Sequence, residues 1–235
     1  MYFLIAILIM SITACQKDEG PINPSGIEPR IKTETYNGEV AIYTYDERGR
    51  MIHEAYPDSS KNIFLYYPGY FVEKQYDSQG NLTNQKHFEL NTDSLAELMI
   101  STTQPGRETR FDYDAQRRLI KSISTEPNYS FVARYYYGPE GNQDSVSFSQ
   151  DGVWLYTWEH TYLDHQPNMY TKKVYGKIYF GEESTNLLAG AFCRFPNPLN
   201  NFSYQYDYSF DSQGRIITMI ESNSKGTSDQ YDFTY

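Results

Sequence analysis

The feature that most constrains this chain is a phrase it repeats: an aromatic residue, Asp, two polar residues, Gly, and one more polar residue. "YDERGR" stands at 45–50, "YDSQGN" at 76–81 and "FDSQGR" at 210–215. "YDAQRR" at 113–118 is a copy in which Arg117 takes the place of the Gly. Each copy prescribes a turn. An Asp at the first turn position accepts a backbone N–H just ahead of it. A Gly three residues later takes the left-handed conformation that closes a three-residue hairpin loop with a bulge. Asp46 with Gly49, Asp77 with Gly80 and Asp211 with Gly214 are therefore assigned as turn-forming pairs. A left-handed Arg117 would cost roughly 1 kcal/mol, so that copy is expected to use a different loop. "YYYGPEGNQ" at 135–143 and "FSQDGVW" at 148–154 are weaker hairpin signals of the same kind.

Between the turns, polar and apolar residues alternate, as in a strand with one wet face. The turns recur at uneven intervals, which argues against a solenoid of fixed period. The expected fold class is all-β: an antiparallel meander of long hairpins, barrel-like, with one short helix. That helix is placed at "SLAELMIS", where Ser94 and Glu97 have capping-box spacing and Gln104-Pro105-Gly106 would stop it. The chain holds 24 Tyr, a residue that favours strands and carries a polar tip.

The N-terminus sets a different expectation. Tyr2–Ala14 is uncharged and apolar, too short to cross a bilayer at roughly 20 residues but suited to a secretory signal. It ends in Ile12-Thr13-Ala14-Cys15, which resembles the lipobox of bacterial lipoproteins. The resemblance implies cleavage before Cys15 and lipidation of its thiol. The domains are then 1–14 as signal peptide, 15–30 as lipidated Cys and flexible tether, and 31–235 as a single β domain. The tether, rich in Pro and Gly, would span roughly 20 Å as a coil. No Asp follows Cys15, which argues against inner-membrane retention, and Lys17-Asp18-Glu19 resembles an export signal of Gram-negative lipoproteins. The expected address is the bacterial outer membrane, by lipid anchor, on the periplasmic face or the cell surface.

The turn phrases "YTYDERGRM", "QYDSQGNL" and "YDYSFDSQGRI" resemble the tyrosine-aspartate repeats of large secreted shell proteins. With the lipoprotein start, residues 31–235 resemble a family of uncharacterised bacterial lipoproteins, domain of unknown function 4595, described as porin-like. That resemblance implies a barrel-like β domain and brings no catalytic residues.

Composition narrows the function. A net charge of −10 repels nucleic acid, so no nucleic-acid partner is expected. Cys193, flanked by Phe192 and Phe195, reads as a buried thiol rather than a nucleophile. His160, His165, Glu159 and Asp164 lie close in sequence but lack the ligand spacing of a zinc site, so no metal and no cofactor are expected. No nucleophile elbow or phosphate loop is present.

The candidate ligand-binding residues lie in "WLYTWEHTYL". Trp154, Tyr156, Trp158, His160 and Tyr162 alternate and should share one face of a strand. A second ladder is Phe202, Tyr204, Tyr206, Tyr208 and Phe210. Aromatic stripes of this kind either stack on sugar rings or form the core that holds sheets together. Both assignments stand at this point. The function expected is a non-enzymatic binding or scaffold module, with glycan or another envelope protein as partner. The alternatives are a glycan-processing enzyme and a membrane-embedded barrel. The second would need an outward apolar band, which the Tyr ladders do not supply.

Overall fold

The computed structural model describes residues 30–168 and 177–235. Their strands are β1 (Thr33–Tyr36), β2 (Glu39–Tyr45), β3 (Met51–Ala55), β4 (Lys61–Tyr67), β5 (Tyr70–Tyr76) and β6 (Leu82–Leu90). The meander continues through β7 (Ala96–Ser101), β8 (Glu108–Tyr113), β9 (Leu119–Glu126), β10 (Tyr129–Tyr137) and β11 (Gln143–Gln150). It ends with β12 (Val153–Pro167), β13 (Asn186–Arg194), β14 (Phe202–Phe210), β15 (Ile216–Asn223) and β16 (Ser228–Thr234). Each strand pairs with its neighbours in sequence, always antiparallel, and β16 pairs with β1. The result is a closed barrel of 16 strands among the described residues. Closure leaves no strand edge unpaired.

The repeated phrase builds the turns. Asp46 Oδ1 accepts from the backbone N–H of Arg48 at 3.0 Å and of Arg50 at 2.9 Å. Gly49 has φ +71° and donates its N–H to the Asp46 carbonyl at 2.9 Å. The pairing slips by one residue at Thr44/Tyr45, which is the expected bulge. Asp77 and Asp211 repeat these bonds, with Gly80 and Gly214 left-handed. The copy at 113–118 differs from expectation. Arg117 keeps the same loop at φ +66°, and Asp114 accepts from Gln116 and Arg118 as its counterparts do. The carboxylate bonds hold the loop against the left-handed penalty.

The expected helix is absent: Ala96–Ser101 is strand β7. Among the described residues the only helical pieces are two 3-10 turns, Ile178–Phe180 and Pro198–Asn200. Ser94 does not cap a helix; it sits at φ +60° in a turn where Asn91 Oδ1 accepts from Asp93 and Leu95. Asn91 therefore plays the part of the Asp, and Ser94 the part of the Gly.

Strand alternation sorts the turns between the two ends. The turns at Asp46, Asn91, Asp114 and Asp211 share one end, and that end is sealed. Immediately after a turn or entry at this end come Ile31, Met51, Leu95 and Ile216, all fully buried. Arg50, Arg118 and Arg215 each bind their turn Asp and lie over the rings of Tyr66, Tyr137 and Tyr235 at 4.3, 4.5 and 4.8 Å. Those three tyrosines in turn donate to the carbonyls of Met51, Leu119 and Ile216.

Residues 177–185, ahead of β13, complete the floor. Phe180 meets Phe71, Phe88 and Phe111 edge-on, and Tyr179 packs on Phe71. Gly181 touches the wall so closely that an added Cβ would lie 2.4 Å from the Arg117 carbonyl oxygen.

The outer face is mixed: the registers turn Val40, Ile42, Leu65, Val72, Leu98 and Val132 outward, with charged pairs set among them. Arg194 pairs with Glu159 at 2.6 Å, Arg110 with Glu108 at 3.4 Å and Lys121 with Asp112 at 3.6 Å, all outward. On β14, Gln205, Asp207 and Ser209 face water while the aromatic ladder faces in. A lipid-spanning barrel carries a continuous apolar band outside, which these ion pairs interrupt.

Candidate functional site

Strand β12 separates the predicted stripe. Val146 pairs with Trp158 and Phe148 with Tyr156, which places both rings on the inner face. His160 and Tyr162 follow them on the same face, deeper in the barrel. Trp154 does not join them. A register shift between Phe148 and Ser149 puts Trp154 opposite Ser149, on the outer face. Its indole N–H donates to Thr157 Oγ1 at 3.0 Å, and Thr157 donates to Ser147 on the neighbouring outer face. The bulge breaks the period of two that the sequence pattern assumed.

The four inward residues divide in role. Tyr162 donates to the Gln143 carbonyl at 2.7 Å, and His160 Nδ1 lies 3.0 Å from the same oxygen. Burial pushes the His160 imidazole down, outweighing the Gln143 carbonyl and Asp144, which favour its charged form. These two side chains are tied to the barrel wall. Tyr156 and Trp158 are half-buried. Trp158 meets Phe202 edge-on at 5.4 Å and Tyr204 at 5.9 Å. Tyr156 packs on Phe148 at 4.7 Å and on Phe195 at 5.5 Å. Lys225 lies 5.1 Å over the Phe202 ring, at the rim. Together these rings form an aromatic wall at the unsealed end.

The second ladder splits the same way. Phe202 and Tyr204 belong to the open wall, whereas Tyr208 donates to the Leu188 carbonyl at 2.8 Å and packs with Phe210 into the core. The stripe is thus half-buried near the mouth and core near the floor. Cys193 is buried among the rings, and burial pushes its thiol up. No group of three or more His, Cys, Asp and Glu is placed to hold a metal among the described residues. Cys15 lies outside the described residues. Asp77 and Gly80 turn the chain at the open end, and Asp46, Gly49, Asp211 and Gly214 at the sealed end.

A cavity of about 520 Å³ opens along another stretch of the inner wall, on β1, β2 and β3. Glu34, Glu39 and Glu54 line it with Tyr36, Tyr43, Tyr56 and Tyr231. Tyr43 donates to Glu34 Oε2 at 3.0 Å, and Asn62 donates to Glu54 Oε2 at 2.9 Å. Tyr36 stacks on Tyr231 at 4.9 Å. The sequence reading missed this cavity, although its signal is visible. Glu34-x-Tyr36 and Glu54-x-Tyr56 put acid and ring on one face by the period of two.

No protein-family model and no curated protein matches the chain. Its fold does have solved counterparts. A porin-like protein from Bacteroides uniformis ATCC 8492 superposes with a TM-score of 0.62 at 14% identity, over 86% of this chain and 94% of the other. A porin-like protein from Bacteroides vulgatus ATCC 8482 gives 0.53 at 11% identity, over 88% and 98%. At such identities the likeness concerns the fold, a closed antiparallel barrel.

Proposed function

We propose that this chain is a non-enzymatic binding barrel of the bacterial envelope that takes a glycan against the aromatic wall of its open end. One observation carries this reading: Tyr156, Trp158 and Phe202 stand half-exposed at the unsealed mouth, although the opposite end is packed shut. Sugar rings present apolar C–H faces that stack on such rings. Glu221, which accepts from Tyr206 beside Tyr204, and the tyrosyl hydroxyls of this wall are acceptors and donors for sugar hydroxyls. Trp154, on the outer face, takes no part.

The address fits the geometry. Arg30 and Ile31 enter the barrel at its sealed end. A lipidated Cys15 with a tether to residue 30 would hold the floor toward the lipid and turn the mouth away from it. Cys15→Ser should abolish incorporation of radiolabelled palmitate and release the chain from the membrane fraction; retention of the label would remove the anchor.

The test of binding is a glycan array probed with the full-length chain. Trp158→Ala should lose the signal and Trp154→Ala should keep it. Equal loss in both variants, or no signal with the unaltered chain, overturns the reading. The same incubations assayed for new reducing ends discriminate against the enzyme alternative, which predicts their appearance.

A further inference from the structure

We infer that the cavity on β1–β3 is a site for an organic ammonium group, and that Lys177 is its built-in competitor. This goes beyond the glycan reading, since the cavity lies on other strands than Trp158 and needs no sugar. The lining carries three carboxylates, Glu34, Glu39 and Glu54, against the single ammonium of Lys177. Tyrosine rings fill the spaces between them. Carboxylates with ring faces are what an alkylammonium group asks of a site: counter-charge on one side and π-faces on the other.

An ammonium already stands there. Lys177 enters from the segment that floors the barrel. Its Nζ lies 4.0 Å from Glu54 Oε2 and 5.9 Å from the centre of the Phe64 ring. The first distance exceeds the 2.7–3.2 Å of a direct N–H···O bond, so charge holds Lys177, not hydrogen bonding. Glu54 is only 8% exposed and sits on the inner wall. A carboxylate so buried is costly unless a cation stands near it, and Lys177 meets that need at arm's length. A mobile ligand able to reach hydrogen-bonding distance would do better and would displace it. The surrounding field agrees. Burial, then Glu221, Tyr36, Asp229 and Glu34, push the Tyr231 hydroxyl up to about 12.

The probe is spermidine, titrated calorimetrically into the full-length chain. Binding is expected, and it should weaken as salt rises. Glu54→Gln, which keeps the acceptor for Asn62, should weaken it at least tenfold. Lys177→Ala should tighten it several-fold, a gain that misfolding cannot mimic. Trp158→Ala should leave it unchanged, so that failure of the glycan reading and of this one are told apart. Absence of binding to both the unaltered chain and Lys177→Ala overturns the inference. So does binding that is indifferent to Glu54→Gln, or that Lys177→Ala fails to tighten.

Discussion

Two glycines with the same φ of +82° do different jobs, and the difference is measurable. Gly80 closes the Asp77 turn with nothing within 4 Å of an added Cβ. Alanine there meets only the left-handed penalty of roughly 1 kcal/mol, partly offset by a less flexible unfolded chain. At Gly181 the added Cβ would strike the Arg117 carbonyl oxygen, which itself accepts the Glu182 N–H at 2.9 Å and cannot easily withdraw. With ψ at −176°, Gly181 also occupies a backbone region that is essentially Gly-only, so Gly181→Ala should cost about 2–4 kcal/mol, backbone strain plus overpacking. Urea unfolding of the two variants reads the contrast directly; equal midpoints would mean that the floor segment is not docked on the 114–118 turn. Arg117→Gly is the converse case. It removes a left-handed side chain that the Asp114 bonds hold in place, and should change stability by no more than about 1 kcal/mol in the favourable direction.

At the scale of the element, the turn Asp sets the response to acid. Burial pushes the Asp46 carboxyl up, but the Arg50 side chain and the backbone N–H groups of Arg50 and Arg48 outweigh it and hold the group below its usual value. Asp114 is lowered in the same way, with Arg118 and Gln116 as donors. For Asp211 the Arg215 backbone N–H is the leading cause. A carboxyl lowered on folding contributes stability that is complete above the unfolded Asp value of about 3.9 and is lost as pH falls through the folded value. Thermal unfolding should thus decline below about pH 4, and an Asp46→Asn, Asp114→Asn, Asp211→Asn triple variant should be less stable at pH 7 with a shallower acid decline. An unchanged acid profile would show that the decline comes from carboxylates outside the turns. These turns were legible in the sequence because their chemistry is local: one carboxylate, two N–H groups and a left-handed residue within five positions. Strand β7 was misassigned for the same reason in reverse, since Ser94 and Glu97 have helix-cap spacing, and only the pairing of Ala96–Ser101 with β6 and β8 decides against it. The face of Trp154 depends on a bulge against β11. A bulge of that kind is set between strands, where alternation along one strand carries no information.

At the scale of the whole molecule, the barrel shares its outline with the two porin-like proteins and is mixed in polarity on both faces. Its walls turn most of the Phe and Tyr of the core inward, together with the Glu73–Lys86 pair, and its barrel-like closure was expected from the family resemblance rather than from any local signal, because the pairing of β16 with β1 joins residues about 200 positions apart. The outward ion pairs and the exposed β14 residues would each be stripped of water in a bilayer, at a cost of roughly 2–4 kcal/mol for a mid-depth cation. In water those groups would keep their solvent, and the inward aromatic clusters already supply a core. The two settings differ in what can reach the outer wall. Asp207→Cys and Ser147→Cys place thiols on outward positions of β14 and β11, while Cys193 is 1% exposed and stays silent. A membrane-impermeant maleimide applied to membranes opened to both sides should label both positions as fully before detergent as after it. Protection that detergent relieves would instead put lipid against the wall, and the outward ion pairs would then require a different explanation.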